Sequence, residues 1–322
     1  MEVTFAGSPD RVEAELVPKH GYAFDPFRIA GFPRRPSVAL LRALLLAGKA
    51  PVACAAILRR RQPHVVLGGG GFVAGPMVLS AWLRRIPAAL TEADAHLGLA
   101  NRLAAPFAQR VLLAYAIAGR KPPKYRVTGR PVPLAHRGAT QAGAREYFGL
   151  PEHGPVIAFF GALAGARSLN DFAVETYGRS GPAVLHLSGE RDFARLRPLV
   201  DRKDYLLSAS TDDFGAAIAA PDLAISRAGG TVWELAAAGT PSILVPYPHA
   251  TGDHQTLNAC HFERGGGAIV VPESELDRVP ALVDELLADP DRLAAMRAAM
   301  LAMARPGAAA EIAEELIALA RS

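Results

Sequence analysis

The sequence contains very little cysteine and no long apolar run. Its 322 residues include two cysteines, Cys54 and Cys260, which are far apart in the sequence and give neither a disulfide framework nor a metal-ligand spacing. This usage fits a reducing cytoplasm. No apolar run reaches the length of a membrane span, and the start MEVTFAGSPDR lacks the charged and apolar regions of a signal peptide. We therefore expect a soluble or peripheral protein.

A strong charge imbalance is also absent. The formal net charge is +4, with 20% of the residues charged and 50% hydrophobic. This excess of positive charge is too small to indicate nucleic-acid binding. The composition is that of a globular protein, and the length predicts two domains, each with its own core.

Several common catalytic motifs are missing. The sequence has no GxSxG elbow, no GxxxxGK[ST] loop and no complete GxGxxG dinucleotide pattern, which argues against hydrolases, P-loop proteins and dinucleotide-dependent enzymes. His249, Asp253 and His254 lie close together, but no third histidine or cysteine is near them. We therefore predict neither a metal nor a cofactor.

The most informative stretch spans residues 226–259. The apolar run 223–225 leads into the turn Ala228-Gly229-Gly230 and then into a helix predicted over 232–238. A strand, a glycine turn and a helix start in this order direct backbone N–H groups and the positive end of a helix dipole at one point. Such a point suits a phosphate. Gly239 is the usual left-handed helix cap, and Pro241 prevents the helix from continuing.

Polar side chains in the same stretch extend this prediction from a phosphate to a nucleotide-sugar. Glu234 lies one turn into the helix and is placed to accept two ribose hydroxyls. Gln255 and Asn258, three residues apart on the next predicted helix, are placed to bind sugar hydroxyls. The alternative is that the two glycines form only a tight turn and that Glu234 is an ordinary first-turn carboxylate.

The spaced elements of this stretch resemble the donor-site signature of the MurG family. These peptidoglycan glycosyltransferases move N-acetylglucosamine from its UDP carrier onto lipid I. The resemblance implies an α/β fold of the GT-B type, with two Rossmann-like doubly wound domains facing a cleft. It also implies UDP-N-acetylglucosamine and lipid I as partners, and a peripheral location on the cytoplasmic face of the membrane. The donor-binding residues that it implies are Gly161, Leu163, Gly165, Arg167, Thr211, Arg227, Gly229, Gly230, Thr231, Glu234, His254, Gln255 and Asn258.

The second domain also carries a segment that resembles the family's phosphate loop, and here the sequence departs from the pattern. Leu163 replaces a serine that would bond a donor phosphate, so we expect weaker or altered diphosphate binding through the remaining backbone donors. The stretch that begins at Thr211 resembles the one that holds the uracil. Asp212 and Asp213 beside it are read equally well as helix-capping residues.

The predicted acceptor side lies in the first domain. Gly68 to Gly71 follow a predicted strand and resemble the family's glycine loop that faces the acceptor diphosphate, although a glycine-rich turn needs no ligand. Segment 91–102 matches the family in part, but Thr91 and Asp94 depart from it, and Asp94 has a helix-capping alternative. The implied acceptor-binding residues are Gly69, Gly70, Gly71, Glu92, Asp94 and Asn101.

The junction between the domains departs from the family at two positions. Arg130 replaces an asparagine, and Pro133 stands where the family places an arginine, so the lost phosphate contact is restored only if Arg130 or another basic residue reaches the phosphate. We expect an acceptor and membrane-side domain over 1–133 and a donor domain over 134–306. A C-terminal helix over 307–322 is expected to pack back on the first domain.

A predicted helix over 37–48, with Phe32, Arg34 and Arg35 before it and Lys49 after it, resembles the membrane-facing patch of the family. A core-packed helix with solvated arginines is the alternative.

Family members begin with a strand, a GGTGGH-type loop and a helix that this sequence lacks before residues 2–7. We therefore expect an N-terminally truncated first domain. No catalytic base is predicted, since the histidine suggested for that role lies in this segment. Two alternatives stay open: a nucleotide-sugar-binding protein without catalysis, and a related transferase with another lipid acceptor.

Overall fold

The computed structural model describes residues 2–29, 38–161 and 166–321, with only the backbone described over 38–47. The chain divides into two compact units. The first consists of Met1–Thr128 and Ala310–Ser322, and the second of Gly129–Ala309. We describe each unit by itself.

The first unit alternates strands and helices, as the sequence predicts. All strand pairs described in it are parallel, and they form a two-stranded sheet of order β1-β2 and a four-stranded sheet of order β3-β4-β5-β6. Its elements are β1 (Thr4–Gly7), α1 (Glu13–Lys19), β2 (Ala23–Pro26), α2 (Val38–Arg61), β3 (Val66–Gly68), α3 (Gly71–Leu83), β4 (Ala88–Glu92), α4 (Leu99–Ala104), β5 (Arg110–Leu113) and β6 (Tyr125–Val127).

The core of the first unit lies between the four-stranded sheet and its helices. Val78, Leu90, Val111 and Leu113 are fully buried there, because parallel strands covered by helices bury both faces. A last helix, which we number α13 (Ala308–Ala320), contributes Glu315, whose carboxylate pairs with Arg110 at 3.3 Å and with Arg126. These pairs attach the C-terminal residues to β5 and β6.

The second unit contains a six-stranded parallel sheet of order β12-β11-β10-β7-β8-β9. Every residue of β7 and β8 is buried, as expected for central parallel strands. The elements are α5 (Gln141–Phe148), β7 (Val156–Phe160), α6 (Arg167–Tyr177), β8 (Ala183–Leu187), α7 (Glu190–Leu196), β9 (Tyr205–Ser208), α8 (Phe214–Ala219), β10 (Leu223–Ser226), α9 (Thr231–Ala238), β11 (Ser242–Leu244), α10 (His254–Arg264), β12 (Ala268–Val270), α11 (Val279–Leu287) and α12 (Pro290–Met303).

The strand order of this sheet reverses at its centre. The chain enters at β7, builds β8 and β9 on one side, and then returns to place β10, β11 and β12 on the other. Loops that leave the carboxyl ends of β7 and β10 therefore diverge and leave a crevice, which is where open α/β sheets bind ligands. The predicted doubly wound α/β fold is confirmed.

A buried polar network ties β8 and β9 to the helices beside the crevice. The ring of His186 is fully buried and bonds to the Tyr205 hydroxyl at 2.8 Å and to Asn170 Oδ1 at 3.0 Å. Asn170 Nδ2 in turn donates to Asp192 Oδ2 at 3.0 Å. Burial lowers the pKa of His186 to about 3, so this imidazole is neutral in the folded protein.

The structure describes only part of the predicted membrane-facing patch. Phe32, Arg34 and Arg35 lie outside the described residues, as do the side chains over 38–47. The backbone of that stretch belongs to α2, which extends well beyond the predicted end at residue 48. Over the described ranges, the structure contains no helix of the length and apolarity that a bilayer crossing requires.

The neutral His186 predicts a specific pH dependence of stability. In the unfolded chain its pKa is about 6.5, so below that pH the unfolded state binds a proton that the folded state excludes. The free energy of unfolding should fall by about 2 kcal/mol between pH 7 and pH 5 from this residue. Burial also lowers the pKa of His261, which acts in the same direction. Urea denaturation across this range should show a smaller decrease for H186Q than for the wild type.

The matched control is His153, whose side chain is 91% exposed. H153Q should keep the wild-type pH dependence. Equal decreases for H186Q and the wild type would contradict the assignment to His186.

Candidate functional site

A pocket of ≈ 910 Å³ lies where the strand order of the second unit reverses. It is bounded by the carboxyl ends of β7 and β10 and by the N-terminal turns of α6 and α9, so it occupies the crevice that the topology predicts. Arginines and aspartates of α6 and α7 contribute charge of both signs. The lining residues are Gly161, Ala166, Arg167, Ser168, Asp171, Arg191, Asp192, Arg195, Arg227, Gly229, Thr231, Tyr247 and Gln255.

The glycine turn at one side of the pocket is held from behind. Asn258 is 1% exposed, and its side-chain amide donates to the carbonyl oxygen of Ala228 at 3.1 Å. Gln255 lines the pocket, and its Oε1 accepts the Tyr247 N–H at 2.9 Å. Of the two residues predicted to bind sugar hydroxyls, Gln255 thus faces the pocket, whereas Asn258 positions the turn.

Arg227, a predicted donor-binding residue, is buried and makes several hydrogen bonds to other residues of the protein. The residue is 5% exposed, and its guanidinium donates to the carbonyl oxygens of Val245 and Pro246, both at 3.2 Å, and to Ser168 Oγ at 2.8 Å. It also pairs with Glu273. Arg227 therefore joins β11 to the N-terminal turn of α6 and shapes the pocket wall.

Glu234 lies in the first turn of α9 and is hydrogen-bonded to a residue that the sequence did not single out. Its Oε1 lies 2.8 Å from Nδ1 of His136, and the two side chains are 20% and 24% exposed. Within the described part of the chain, Oε2 has no hydrogen bond. No local signal could have linked residues 136 and 234, which are 98 positions apart.

Arg130, which departs from the family pattern, lies directly against the glycine turn. A Cβ built on Gly230 would come within 2.5 Å of the Arg130 guanidinium, so the glycine makes this contact possible. The guanidinium is half-buried and has no hydrogen bond or ion pair to any described residue. A cation at the N-terminus of α9 is opposed by the helix dipole, so a bound anion would be favourable there.

The remaining predicted donor residues occupy three places. Gly161 follows β7, and Arg167, 70% exposed, opens α6; Leu163 and Gly165 lie outside the described residues. Thr211 accepts the Asp213 N–H at 3.2 Å before α8. His254 begins α10, where Nδ1 lies 2.9 Å from the Thr251 carbonyl oxygen.

Asp213 caps α8 by accepting the Ala216 N–H at 2.8 Å. The capping interpretation of this carboxylate is therefore confirmed.

In the first unit, the four consecutive glycines are explained by the fold at three positions. A Cβ on Gly68 would lie 2.7 Å from Leu90 Cδ2, and Gly70 and Gly71 have φ values of +91° and +67°. Gly69 has an ordinary φ and open space within 4 Å of where its Cβ would be. Packing and backbone conformation therefore give no reason for glycine at position 69.

Glu92 and Asn101 form a brace at the carboxyl end of β4. Glu92 is 8% exposed; its Oε2 accepts the Gly98 N–H and Asn101 Nδ2, both at 2.9 Å, and its Oε1 accepts the Asp94 N–H at 3.3 Å. Asn101 Nδ2 also bonds to the Thr91 carbonyl oxygen at 2.9 Å. These side chains hold the loop after β4, and α4 is capped at Gly98 rather than at Asp94.

The two units match two known domains in the corresponding order. Residues 1–113 match the glycosyltransferase family 28 N-terminal domain, and residues 156–313 match the C-terminal domain of the same family. A UDP-N-acetylglucosamine–N-acetylmuramyl-(pentapeptide) pyrophosphoryl-undecaprenol N-acetylglucosamine transferase of Halothermothrix orenii is 36% identical, over 95% of this chain and 88% of its own length. The chain belongs to the MurG family.

Two further comparisons agree with MurG-family membership. The transferase of the same name from Rubrobacter xylanophilus is 36% identical over 99% of this chain and 96% of its own length. The crystal structure of Acinetobacter baumannii MurG superposes with a TM-score of 0.74 at 23% identity, covering 98% of this chain and 90% of that one. The GT-B-type α/β architecture predicted from the sequence is confirmed.

The glycine loop of this MurG-family chain predicts opposite outcomes for neighbouring substitutions. G68A should lower the free energy of unfolding by about 1–3 kcal/mol, since the new methyl group overpacks against Leu90. G69A should leave it unchanged or slightly raised, because the added group meets open space at an ordinary φ. Urea denaturation of both variants tests this. A loss of stability in G69A equal to that in G68A would contradict it.

Proposed function

We propose that this protein transfers N-acetylglucosamine from UDP-N-acetylglucosamine to the N-acetylmuramyl pentapeptide carried on undecaprenyl diphosphate. The product is the lipid-linked disaccharide precursor of peptidoglycan. One observation carries the proposal at the level of the site: a glycine turn and the N-terminus of α9 border the pocket at the strand reversal, and the first turn of that helix carries the Glu234 carboxylate. In a MurG-family chain, this set matches the parts of a uridine diphosphate.

The diphosphate of the donor is assigned to the turn and the start of α9. Backbone N–H groups at Gly229, Gly230 and Thr231 have no helical partners of their own and favour negative charge. The Arg130 guanidinium, which pairs with no described residue, adds a full positive charge at the same turn. These groups would stabilise the charge that develops as UDP leaves, which is the main electrostatic contribution to such a transfer.

The other donor groups are assigned around this centre. Glu234 would accept the ribose hydroxyls through Oε2, the oxygen with no hydrogen bond to the described residues. Gln255 in the pocket wall would face the sugar, while Asn258 and Arg227 would position the turn and the wall. The acceptor hydroxyl then attacks the anomeric carbon from the side opposite UDP, which inverts its configuration.

The acceptor side is assigned to the carboxyl end of the four-stranded sheet. Gly69 would let the backbone approach the lipid diphosphate closely, because no side chain there intervenes. Glu92 and Asn101 would hold the neighbouring loop in place. Since the acceptor is a membrane lipid, we assign the protein to the cytoplasmic face of the membrane as a peripheral enzyme.

The function is tested by two measurements on the full chain. Isothermal titration calorimetry with UDP tests the donor site, and a transfer assay with UDP-N-acetylglucosamine and the lipid-linked muramyl pentapeptide tests the reaction. Binding with turnover supports the proposal. Binding without turnover on any acceptor would indicate a non-catalytic binding protein, and turnover only on another lipid would indicate a different acceptor.

Arg130 gives a prediction for the donor diphosphate. R130Q should weaken UDP binding by about tenfold or more, since a charge-assisted hydrogen bond contributes about 1.5–3 kcal/mol. Uridine, which has no phosphate, should bind both proteins equally. R179Q is the control, because Arg179 is an exposed arginine of the same unit that is not among the groups next to Gly229 and Gly230. Equal losses for UDP and uridine would rule out a phosphate contact.

Gly69 gives a separate prediction for the acceptor. G69A should reduce turnover with the lipid acceptor, because a methyl group would intrude where the lipid diphosphate approaches. Its affinity for UDP should stay at the wild-type value, since the residue lies in the other unit. The measurements are steady-state transfer at varied lipid concentration and calorimetry with UDP. Unchanged transfer kinetics would contradict the acceptor assignment.

A further inference from the structure

We infer that His136 is a positioning residue that orients the Glu234 carboxylate for a ribose diol, and so sets the preference of the site for ribonucleotides over deoxyribonucleotides. This inference rests on the proposed function and adds a role for one further residue at the donor site. His136 lies in the segment that follows Pro133 and is remote in sequence from every predicted donor-binding residue.

The position of His136 is strongly constrained by its neighbours. The residue ends a 3₁₀ turn, Leu134–His136, in which its own N–H donates to the Pro133 carbonyl oxygen at 3.0 Å. The start of α8 packs against this turn. A Cβ on Gly215 would lie 2.7 Å from the carbonyl oxygen of Ala135 and 2.8 Å from His136 Cα, so only a glycine fits there. The backbone that carries the imidazole is therefore held tightly against α8.

The imidazole itself is held from two directions. Its ring meets Phe214 edge to face, with ring centroids 5.5 Å apart, and Nδ1 lies 2.8 Å from Glu234 Oε1. Because an ionised carboxylate can only accept, Nδ1 carries the proton in this pair. The phenyl ring fixes the plane of the imidazole, and the imidazole fixes one oxygen of Glu234.

Fixing one oxygen leaves the other in a defined place. Glu234 Oε2 makes no hydrogen bond to the described part of the chain, and the carboxylate is still 20% exposed. A glutamate without a partner would have to lose its rotamer freedom when a ligand binds, which costs conformational entropy. His136 imposes that order in advance, and preorganisation of this kind increases affinity for the group that the carboxylate binds.

The ligand group that fits is a pair of adjacent hydroxyls. A carboxylate accepts two hydrogen bonds from a vicinal diol, and a deoxyribose lacks one of the two donors. A site that is built to bond a hydroxyl discriminates against the analogue without it, because the acceptor then loses that partner. The role of His136 should therefore appear in the ratio of two affinities rather than in either affinity alone.

The test is calorimetry of the full chain with UDP and with 2′-deoxy-UDP. The wild type should prefer UDP by about tenfold or more. H136F keeps an aromatic ring against Phe214 but removes the donor, so its preference should fall to within about threefold, because the affinity for UDP falls more than that for 2′-deoxy-UDP. H136N places an amide donor near the position of Nδ1 and should restore much of the preference. H153F, at a highly exposed histidine, is the control.

Other outcomes distinguish the inference from the function on which it rests. If H136F weakens both nucleotides by the same factor, or neither, His136 has no positioning role and the inference is wrong. If the wild type binds UDP without preferring it to 2′-deoxy-UDP, the inference fails while the transferase assignment stands. If the wild type binds neither nucleotide, both fail.

Two further measurements guard against a trivial result. In an E234Q background, H136F should produce no additional change in the affinity ratio, because the two residues act as one unit. Thermal melting of each variant checks that the fold is intact. If H136F proves unstable, H136A keeps the Ala135 backbone contact with α8 and takes its place, with the same expected loss of preference.

Discussion

The reversal of strand order between β7 and β10 is the constraint on which the donor side of this protein depends. Both strands are buried, so their carboxyl ends are fixed by the core, and the segments that leave them diverge to opposite sides of the sheet. This divergence leaves a crevice at the edge of the sheet, and the packing of the core is not interrupted to form it. The N-terminal turns of α6 and α9 are brought to it by the same geometry, with their free N–H groups available to an anion.

Buried polar side chains then hold the crevice in shape. Asn258 supports the glycine turn through the Ala228 carbonyl oxygen, and Arg227 bonds to backbone carbonyl oxygens after β11. Buried polar groups need hydrogen-bond partners, and the described partners of Asn258 and Arg227 are groups of the protein itself. The described contacts of Asn258 and Arg227 are therefore structural, and their predicted binding role stays a prediction. Among the groups without such commitments are the backbone N–H groups of the turn, Glu234 Oε2 and the Arg130 guanidinium, which make no hydrogen bond to a described residue.

The first unit uses a similar arrangement at the end of its own parallel sheet. Glu92 accepts hydrogen bonds from within the loop that follows β4, and Asn101 bonds to both Glu92 and Thr91. Among the four consecutive glycines 68–71, only Gly69 is unexplained by packing or backbone conformation. In both units, short glycine segments next to braced loops present the main chain, while the charged and amide side chains provide rigidity.

Local sequence signals were sufficient for the elements that carry them. The apolar runs of β7 and β8, the glycine turn before α9 and the αL cap at Gly239 were predictable, since each depends on residues within one strand or one turn. The spacing from Gly229 to Asn258 also identified the family. Short strands with weak patterns, β5, β6 and β12, were not predicted, because pairing with neighbours decides them.

What only the tertiary structure decided is the direction and the partner of each side chain. Asn258 and Gln255 were equivalent in the sequence, yet the first points into the protein and the second lines the pocket. Arg130 reaches Gly230 and His136 reaches Glu234 across about a hundred residues of chain. These contacts follow from the packing of α8 and α9 against the segment after residue 129. Local sequence patterns extend over one strand or one turn, so they cannot specify contacts between residues about a hundred positions apart.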